Sequence, residues 1–267
     1  MNERPQPPAD PQAANAAACI VTGAAGYIGS ALTRALREEA AAMPLRLTDR
    51  VPPQPGLEPP PHDFVGGEID GPRVLARLFE QPVGTVFHLA GVVSGAAEAD
   101  FLLGKRVNLD ATIGLLECCR RQVVAGGPVP TFVYASSIAV FGPPLPPRID
   151  DSTAPRPALS YGAHKRACEV LIDDYTRRGF IDGRVLRLPG VVVRPPLANG
   201  ALSGFNSDLI REPLSGRDYR CPVGPDATLW LCSLHHVIGN LVRLAQTPSA
   251  AIGAERAITA PALAVSV

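Results

Sequence analysis

The sequence predicts an α/β fold: a doubly wound parallel sheet with helices on both faces and a small C-terminal lobe. Three observations carry this expectation. Short apolar runs that suit buried strands alternate with segments of helical periodicity along most of the 267 residues. The first run, Cys19 to Thr22, leads into a turn of three glycines, Gly23, Gly26 and Gly29, that opens a helix. Gly23, Asp49, Ala90, Ser137 and Pro189 all fall at or just beyond predicted strand ends, where such sheets bind ligands.

Residues 1–17 are rich in Pro, Ala and Gln and lack both a basic start and a continuous apolar core, so they read as a disordered extension and not as a secretory signal. A nucleotide-binding domain is expected over 18–190, and a substrate-binding lobe over 191–267, interleaved with the end of the sheet. After the glycine turn, Ile28, Leu32, Ala35 and Leu36 recur at helical spacing. Leu45 to Asp49 is the second strand. Pro52, Pro53, Pro55 and Pro59 to Pro61 forbid regular structure and predict an exposed loop. A short third strand lies within His62 to Ile69, and a helix over Gly71 to Glu80 turns Val74, Leu75 and Leu78 inward. Thr85 to Gly91 is a fourth strand. Glu98 to Val124 predicts a long helix, or one with an irregular start, and Thr131 to Ala135 a fifth strand ending at Ser136-Ser137. A Pro-rich loop follows, then a helix from Ser160 to Arg178 and a sixth strand over Arg184 to Leu188. Trp230 to Gln246 reads as a strand end and a helix, and a further strand begins within Arg256 to Thr259.

The glycine turn makes the fold Rossmann-like. Gly23 turns the chain sharply, Gly26 admits a pyrophosphate close to the backbone, and Gly29 lets the helix pack on its strand. The pyrophosphate then sits at the positive end of the helix dipole. Asp49 lies 20 residues beyond Gly29, where a carboxylate accepts from adenosine ribose hydroxyls. The competing reading is an ordinary Gly-rich turn with Asp49 as a turn residue. A carboxylate at this point repels a ribose 2′-phosphate and favours NAD over NADP, although Arg50 follows and could contact a phosphate.

Tyr161 and Lys165 stand at i and i+4 of one helix and share a face. A nearby ammonium favours the phenolate, so Tyr161 can act as a general base, while the Ser137 hydroxyl holds the substrate oxygen. Arg194 and Arg211 lie in the segment expected to cover the substrate. Either could clamp a carboxylate, or both could be ordinary ion-pair residues. Ser94 and the small residues beside it could form another pocket wall.

Composition narrows the classes. Lys plus Arg and Asp plus Glu number 25 each, so the net charge is zero and nothing points to nucleic acid or an anionic membrane. No run is long enough to span a membrane. The six cysteines show no metal-ligand spacing; they read as free thiols of a cytoplasmic protein, with no metal expected.

Thr22 to Gly29, His88-Leu89-Ala90-Gly91, Val107-Asn108-Leu109, Ala135-Ser136-Ser137, Tyr161 to Lys165 and Leu186-Arg187-Leu188-Pro189 together resemble the extended short-chain dehydrogenases/reductases, the group that includes nucleotide-sugar epimerases and dehydratases. The resemblance implies that Ser137, Tyr161 and Lys165 are catalytic. Ser137 is preferred to Ser136 because the second serine of Ser-Ser-x-x-x-Phe-Gly is the usual one. Asn108 is implied to organise a proton-relay water near the lysine. Glu68-Ile69 replaces the usual Asp-Ile or Asp-Leu pair beside the adenine. Gly23, Gly26, Tyr27, Ile28, Gly29, Asp49, Leu89, Ala90 and Pro189, with Tyr161 and Lys165, are implied to line NAD.

Gly91 to Phe101, Ser137 to Pro146, Arg178 to Arg184, Val193-Arg194-Pro195, Ser203-Gly204-Phe205 and Ile210 to Leu214 are similar to the D-erythronate dehydrogenase family, from about residue 19 to the C-terminus. That similarity implies NAD-dependent oxidation of the C2 hydroxyl of a four-carbon sugar acid, with Ser94, Ser137, Tyr161, Arg194 and Arg211 toward the substrate. A homodimer through the helices around 98–124 and 160–178 is implied by the resemblance alone. Relatives usually continue further, so the lobe is expected to be short. Alternatives are a nucleotide-sugar epimerase that keeps its NAD, and a non-catalytic NAD(P)-binding sensor.

Overall fold

The computed structural model describes residues 17–39, 43–53, 64–146, 148–150, 152–196 and 203–267. The expected disordered extension falls, but for residue 17, outside them, as does most of the Pro-rich loop after Val51. Seven parallel strands form the main sheet: β1 (Ala18–Thr22), β2 (Leu45–Asp49), β3 (Phe64–Gly66), β4 (Val83–His88), β5 (Thr131–Ser137), β6 (Asp182–Leu188) and β9 (Ala257–Thr259). Their spatial order, β3-β2-β1-β4-β5-β6-β9, reverses direction between β1 and β4. A crevice for ligands opens at such a switch point, beyond the C-terminal strand ends. A second sheet of β10 (Leu263–Ser266), β8 (Thr228–Ser233) and β7 (Gly190–Val192) stands beside it. The segment after residue 190 therefore supplies both the small sheet and the last strand of the large one.

The period of two in the strands divides the core. Cys19, Val21, Phe87, Val133 and Ala135 face one side, packed with helices α1 (Tyr27–Glu39) and α8 (Leu234–Gln246). Ile20, Val86, Phe132 and Tyr134 face the other, with α2 (Pro72–Leu78), α5 (Ala111–Val124) and α6 (Ser160–Arg177). Burial on both faces explains why the strands read as nearly continuous apolar runs. Val74 and Leu78 of α2 are buried as expected, and Leu75 is half-buried.

Of the two forms expected over Glu98 to Val124, a long helix or one with an irregular start, the structure takes the second, its start broken into pieces. Helix α3 (Ser94–Ala99) ends at Asp100, whose side chain accepts the Leu103 N–H (2.9 Å) and caps α4 (Phe101–Lys105). A π-bulge, Arg106–Asp110, then joins α4 to α5 and carries Asn108. In the C-terminal part, α7 (Phe205–Leu214) and α9 (Ser249–Ile252) complete the helices named here.

The glycine turn is tightly built. Gly23 has φ +68°, the left-handed region that favours glycine. A Cβ on Gly29 would stand 2.1 Å from the Gly23 carbonyl oxygen. Gly29→Ala is therefore expected to destabilise the fold by about 1–3 kcal/mol, through overpacking against backbone. Urea unfolding monitored by circular dichroism checks this; an unchanged midpoint would refute the close approach.

Candidate active site

A cavity of about 580 Å³ opens at the C-terminal edge of the main sheet. Its walls bring together Gly23, Tyr27, Ile28, Gly29, Leu89, Ser94, Ser137, Tyr161, Lys165, Pro189 and Arg194, from segments far apart in sequence. Gly26, Asp49, Glu68, Ile69, Ala90, Asn108 and Arg211 are outside that lining.

Several of these outer residues shape the rim. Asp49 Oδ2 accepts the Ala25 N–H (3.0 Å) and Oδ1 the Arg50 N–H (2.7 Å), so the carboxylate ties the end of β2 to the glycine turn. The Ile69 side chain is buried in the core, and exposed Glu68 stands 3.8 Å from Arg106, which pairs more closely with Asp70 (3.1 Å). The backbone N–H groups of Leu89 and Ala90 both donate to Thr22 Oγ1 (3.1 Å each).

Beneath that loop runs a buried chain. Thr112 Oγ1 donates to the Asn108 carbonyl (3.1 Å), so it accepts from His88 Nε2–H (2.9 Å). His88 Nδ1 then accepts from the Thr22 hydroxyl (2.8 Å). Burial, reinforced by the Lys165 charge, holds His88 down to about 3, so the ring is neutral. Asn108, to which the resemblance gives the task of organising a water, is bound through its amide to the loop after β4. Its Oδ1 accepts the Val92 N–H (2.9 Å) and its Nδ2 donates to the Val92 carbonyl (3.0 Å), which uses the amide to pin the loop after β4. Gly91 must be small for this, since a Cβ there would lie 2.9 Å from Asn108 Oδ1.

Helix α6 delivers Tyr161 and Lys165. Lys165 Nζ donates to the Ala135 carbonyl (2.8 Å) and lies 4.6 Å from the Tyr134 ring centre and 5.7 Å from that of Tyr161. Burial holds its ammonium down to about 8. Burial also pushes the Tyr161 phenol above its ordinary value, while the Ser137 hydroxyl and the Arg194 guanidinium pull it back. The helix face expected to let Lys165 activate the phenol thus directs Nζ to the sheet carbonyl, and Arg194 is the cation that opposes the effect of burial on Tyr161. The two serines differ in the same way. Ser136 donates to buried Glu169 (2.6 Å), which also takes both guanidinium contacts of Arg187 (2.9 and 2.8 Å). Ser137 faces the cavity and accepts the Ala139 N–H (3.1 Å).

The two arginines separate. Arg194 lines the cavity, its Nε donating to the Val191 carbonyl (3.0 Å). Arg211 points elsewhere: Nη1 donates to the Arg194 carbonyl (2.7 Å), Nε to Glu212 (3.2 Å) and Nη2 to Asp208. Its charge is paired with Asp208 and Glu212, and it braces the Arg194 carbonyl from outside the cavity lining. Asn206, Phe141 and Trp230 also line the cavity. Phe141 belongs to the Ser-Ser-x-x-x-Phe-Gly motif after β5, whereas no motif marks Asn206 or Trp230, whose segment was recognisable only as a cover by its place after β6.

The glycines leave a cradle that side chains would fill. A Cβ on Gly23 would come within 2.8 Å of the Ala90 nitrogen, while Gly26 is exposed at the turn. These residues fit a dinucleotide. Among the described residues no group of three His, Cys, Asp or Glu side chains could hold a metal ion.

The NAD dependent epimerase/dehydratase family matches residues 19–226. A D-erythronate dehydrogenase of Cupriavidus necator is 44% identical over 256 residues, covering 92% of this chain and 78% of that protein. One from Haemophilus influenzae is 38% identical, covering 93% of this chain and 78% of that protein. The crystal structure of the nucleoside-diphosphate-sugar epimerase from Agrobacterium tumefaciens superposes with a TM-score of 0.86 at 36% identity, over 94% of this chain and 75% of that one.

The buried His88 sets a pH dependence. Its folded-state value lies below its ordinary 6.5, so the unfolded chain binds the proton more readily. The stability it contributes is full above pH 6.5 and is lost as pH falls from 6.5 toward about 3. One such group gives a slope of at most about 1.4 kcal/mol per pH unit. Urea unfolding across this range should show a shallower slope for His88→Asn than for the unaltered protein; equal slopes would contradict a neutral buried ring.

Proposed function

The chain belongs to the NAD dependent epimerase/dehydratase family, and we propose that within it the protein oxidises D-erythronate, converting the C2 hydroxyl into the ketone of 2-dehydro-D-erythronate. One observation carries the reading: Ser137, Tyr161, Lys165 and Arg194 line a single cavity beside the glycine turn. A phenol, a hydroxyl and a guanidinium in one small cavity suit a short hydroxy acid.

When bound, NAD⁺ supplies the hydride acceptor. Gly23, Gly26, Tyr27, Ile28 and Gly29 hold the diphosphate, and Asp49 holds the adenosine ribose. Glu68 and Ile69 serve the adenine end, Ile69 through its backbone because its side chain lies in the core. Leu89, Ala90 and Pro189 flank the nicotinamide half, and Lys165 takes its ribose. Arg194 binds the substrate carboxylate with charge-assisted hydrogen bonds. Ser137 donates to the C2 oxygen and steadies it. Tyr161, whose phenolate the Ser137 hydroxyl and the Arg194 guanidinium favour and the positive charge of NAD⁺ would favour further, takes the hydroxyl proton while the C2 hydrogen leaves with its electron pair, and the C2–O bond becomes double. Asn108 acts by fixing the loop after β4.

The region 191–267 is the substrate lobe in this reading, supported by Arg194 and Asn206 in the cavity wall. All six cysteines are free, and no helix among the described residues is long and apolar enough to cross a membrane. Both facts support a cytoplasmic placement. Exposed Phe101, Leu102 and Val170 support a homodimer through α4 to α6.

Tyr161→Phe is expected to lower turnover at least about 100-fold while leaving NAD⁺ affinity within a few fold, because a general base contributes on that order. NADH absorbance with D-erythronate and calorimetric NAD⁺ titration check this; undiminished turnover would refute the role. Arg194→Gln is expected to raise the KM for D-erythronate about tenfold or more. A nucleotide-sugar epimerase would instead release no net NADH.

A further inference from the structure

Helix α7 presents an asparagine to the cavity that no motif announces. Asn206 is 7% exposed, its Oδ1 is closed off from solvent, and that oxygen has no hydrogen-bond partner. The residue nevertheless lines the cavity together with Arg194 and Tyr161. Its backbone N–H is bound to the Ser203 carbonyl (3.3 Å), which starts the helix. Gly190 makes room for it, since a Cβ there would stand 2.7 Å from Asn206 Nδ2 and 2.9 Å from the Trp230 carbonyl oxygen.

The same helix fixes Arg194. Ser207 Oγ accepts the Arg194 N–H (3.0 Å), and Arg211 binds the Arg194 carbonyl (2.7 Å). One rigid element therefore sets a cationic group and a neutral polar group in one wall. A buried polar oxygen without a partner weakens the folded state, and a ligand that supplies a donor removes the penalty on binding.

We infer that Asn206 is a specificity-determining residue, its Oδ1 accepting a hydrogen bond from a substrate hydroxyl beyond the reacting carbon. The inference rests on the reading of the site given under Proposed function. A sugar acid offers few groups that can meet an acceptor. Its carboxylate has only acceptor oxygens and belongs to Arg194. Its C2 hydroxyl gives its proton to Tyr161. The donors left are the hydroxyls on C3 and C4, and Asn206 Oδ1 is an unpartnered acceptor in the same cavity wall as Arg194. A site built to pair a hydroxyl discriminates against the analogue that lacks it, because the protein group then stays buried and unpaired.

The experiment compares kcat/KM for D-erythronate with that for its 3-deoxy and 4-deoxy analogues, in the unaltered protein and in Asn206→Leu. The unaltered protein is expected to prefer D-erythronate to one deoxy acid by about tenfold or more, the effect of a single hydrogen bond with its desolvation penalty. In Asn206→Leu that preference should fall to within about threefold, through lost activity with D-erythronate and little change with the deoxy acid. Asn206→Asp, which keeps an acceptor, should retain a preference for the hydroxyl. Leucine removes an unpaired buried oxygen, so the free variant should unfold at no lower temperature than the unaltered protein. If Asn206→Leu does not fold, Asn206→Ala, which also lacks an acceptor, takes its place in the same comparison. A preference that survives in the variant, or equal losses with both acids, would overturn the inference. So would an unaltered protein that makes NADH from D-erythronate without discriminating, and in that case the reading of the site stands. No NADH from the unaltered protein with any of these acids would overturn that reading and the inference with it.

Discussion

The ammonium of Lys165 lies buried at the C-terminal edge of the sheet, and the surrounding elements are arranged to satisfy it. A buried cation is costly unless hydrogen-bonded and paired with polar or aromatic groups. The Ala135 carbonyl supplies the hydrogen bond and the Tyr134 ring a cation–π surface. Both come from β5, so helix α6 is anchored to the strand that also ends in Ser137. This constraint puts Tyr161, one turn earlier on the same helix, at the same cavity as Ser137.

Polar groups under the site extend this arrangement. Glu169, one turn beyond Lys165, is buried and gathers Ser136, Arg187 and Arg166. Ser136 and Ser137 both line the cavity, but the Ser136 hydroxyl is committed to Glu169, which leaves the Ser137 hydroxyl as the one of the pair not bound to a buried carboxylate. On the other side of β4, the Thr22–His88–Thr112 chain fixes the backbone of Leu89 and Ala90. Rigid elements thus hold Ser137, Tyr161 and Lys165, while the segment after β6 adds Arg194 and Asn206 to the cavity wall.

Much of this was legible in the sequence for reasons that are local. A glycine turn after a short apolar run, period-two burial in the strands and two residues four apart on a helix each need only neighbouring positions to be read. The resemblance to a known family added which serine and which asparagine to watch. What could not be read depends on partners distant in the chain. Sharing a helix face places Lys165 near Tyr161 but does not reveal that Ala135, 30 residues earlier, takes its Nζ. The π-bulge at Arg106–Asp110 has no periodic signature, and it interrupts a segment whose apolar pattern reads as helix. The second sheet joins β7, β8 and β10 across long stretches of chain, so only fragments of it were anticipated. Arg211 is the exception, since Asp208 and Glu212 stand three before and one after it, and that charge pattern signals a balanced arginine.

The proposed reaction removes hydride from C2 of D-erythronate. The most direct measurement is the fate of deuterium from D-erythronate labelled at C2, followed by mass spectrometry of the NADH formed and by comparison of its rate with that of unlabelled acid. One deuterium in each NADH and no label in the keto acid product is the expected result. NADH free of deuterium, or label retained in the product, would contradict it.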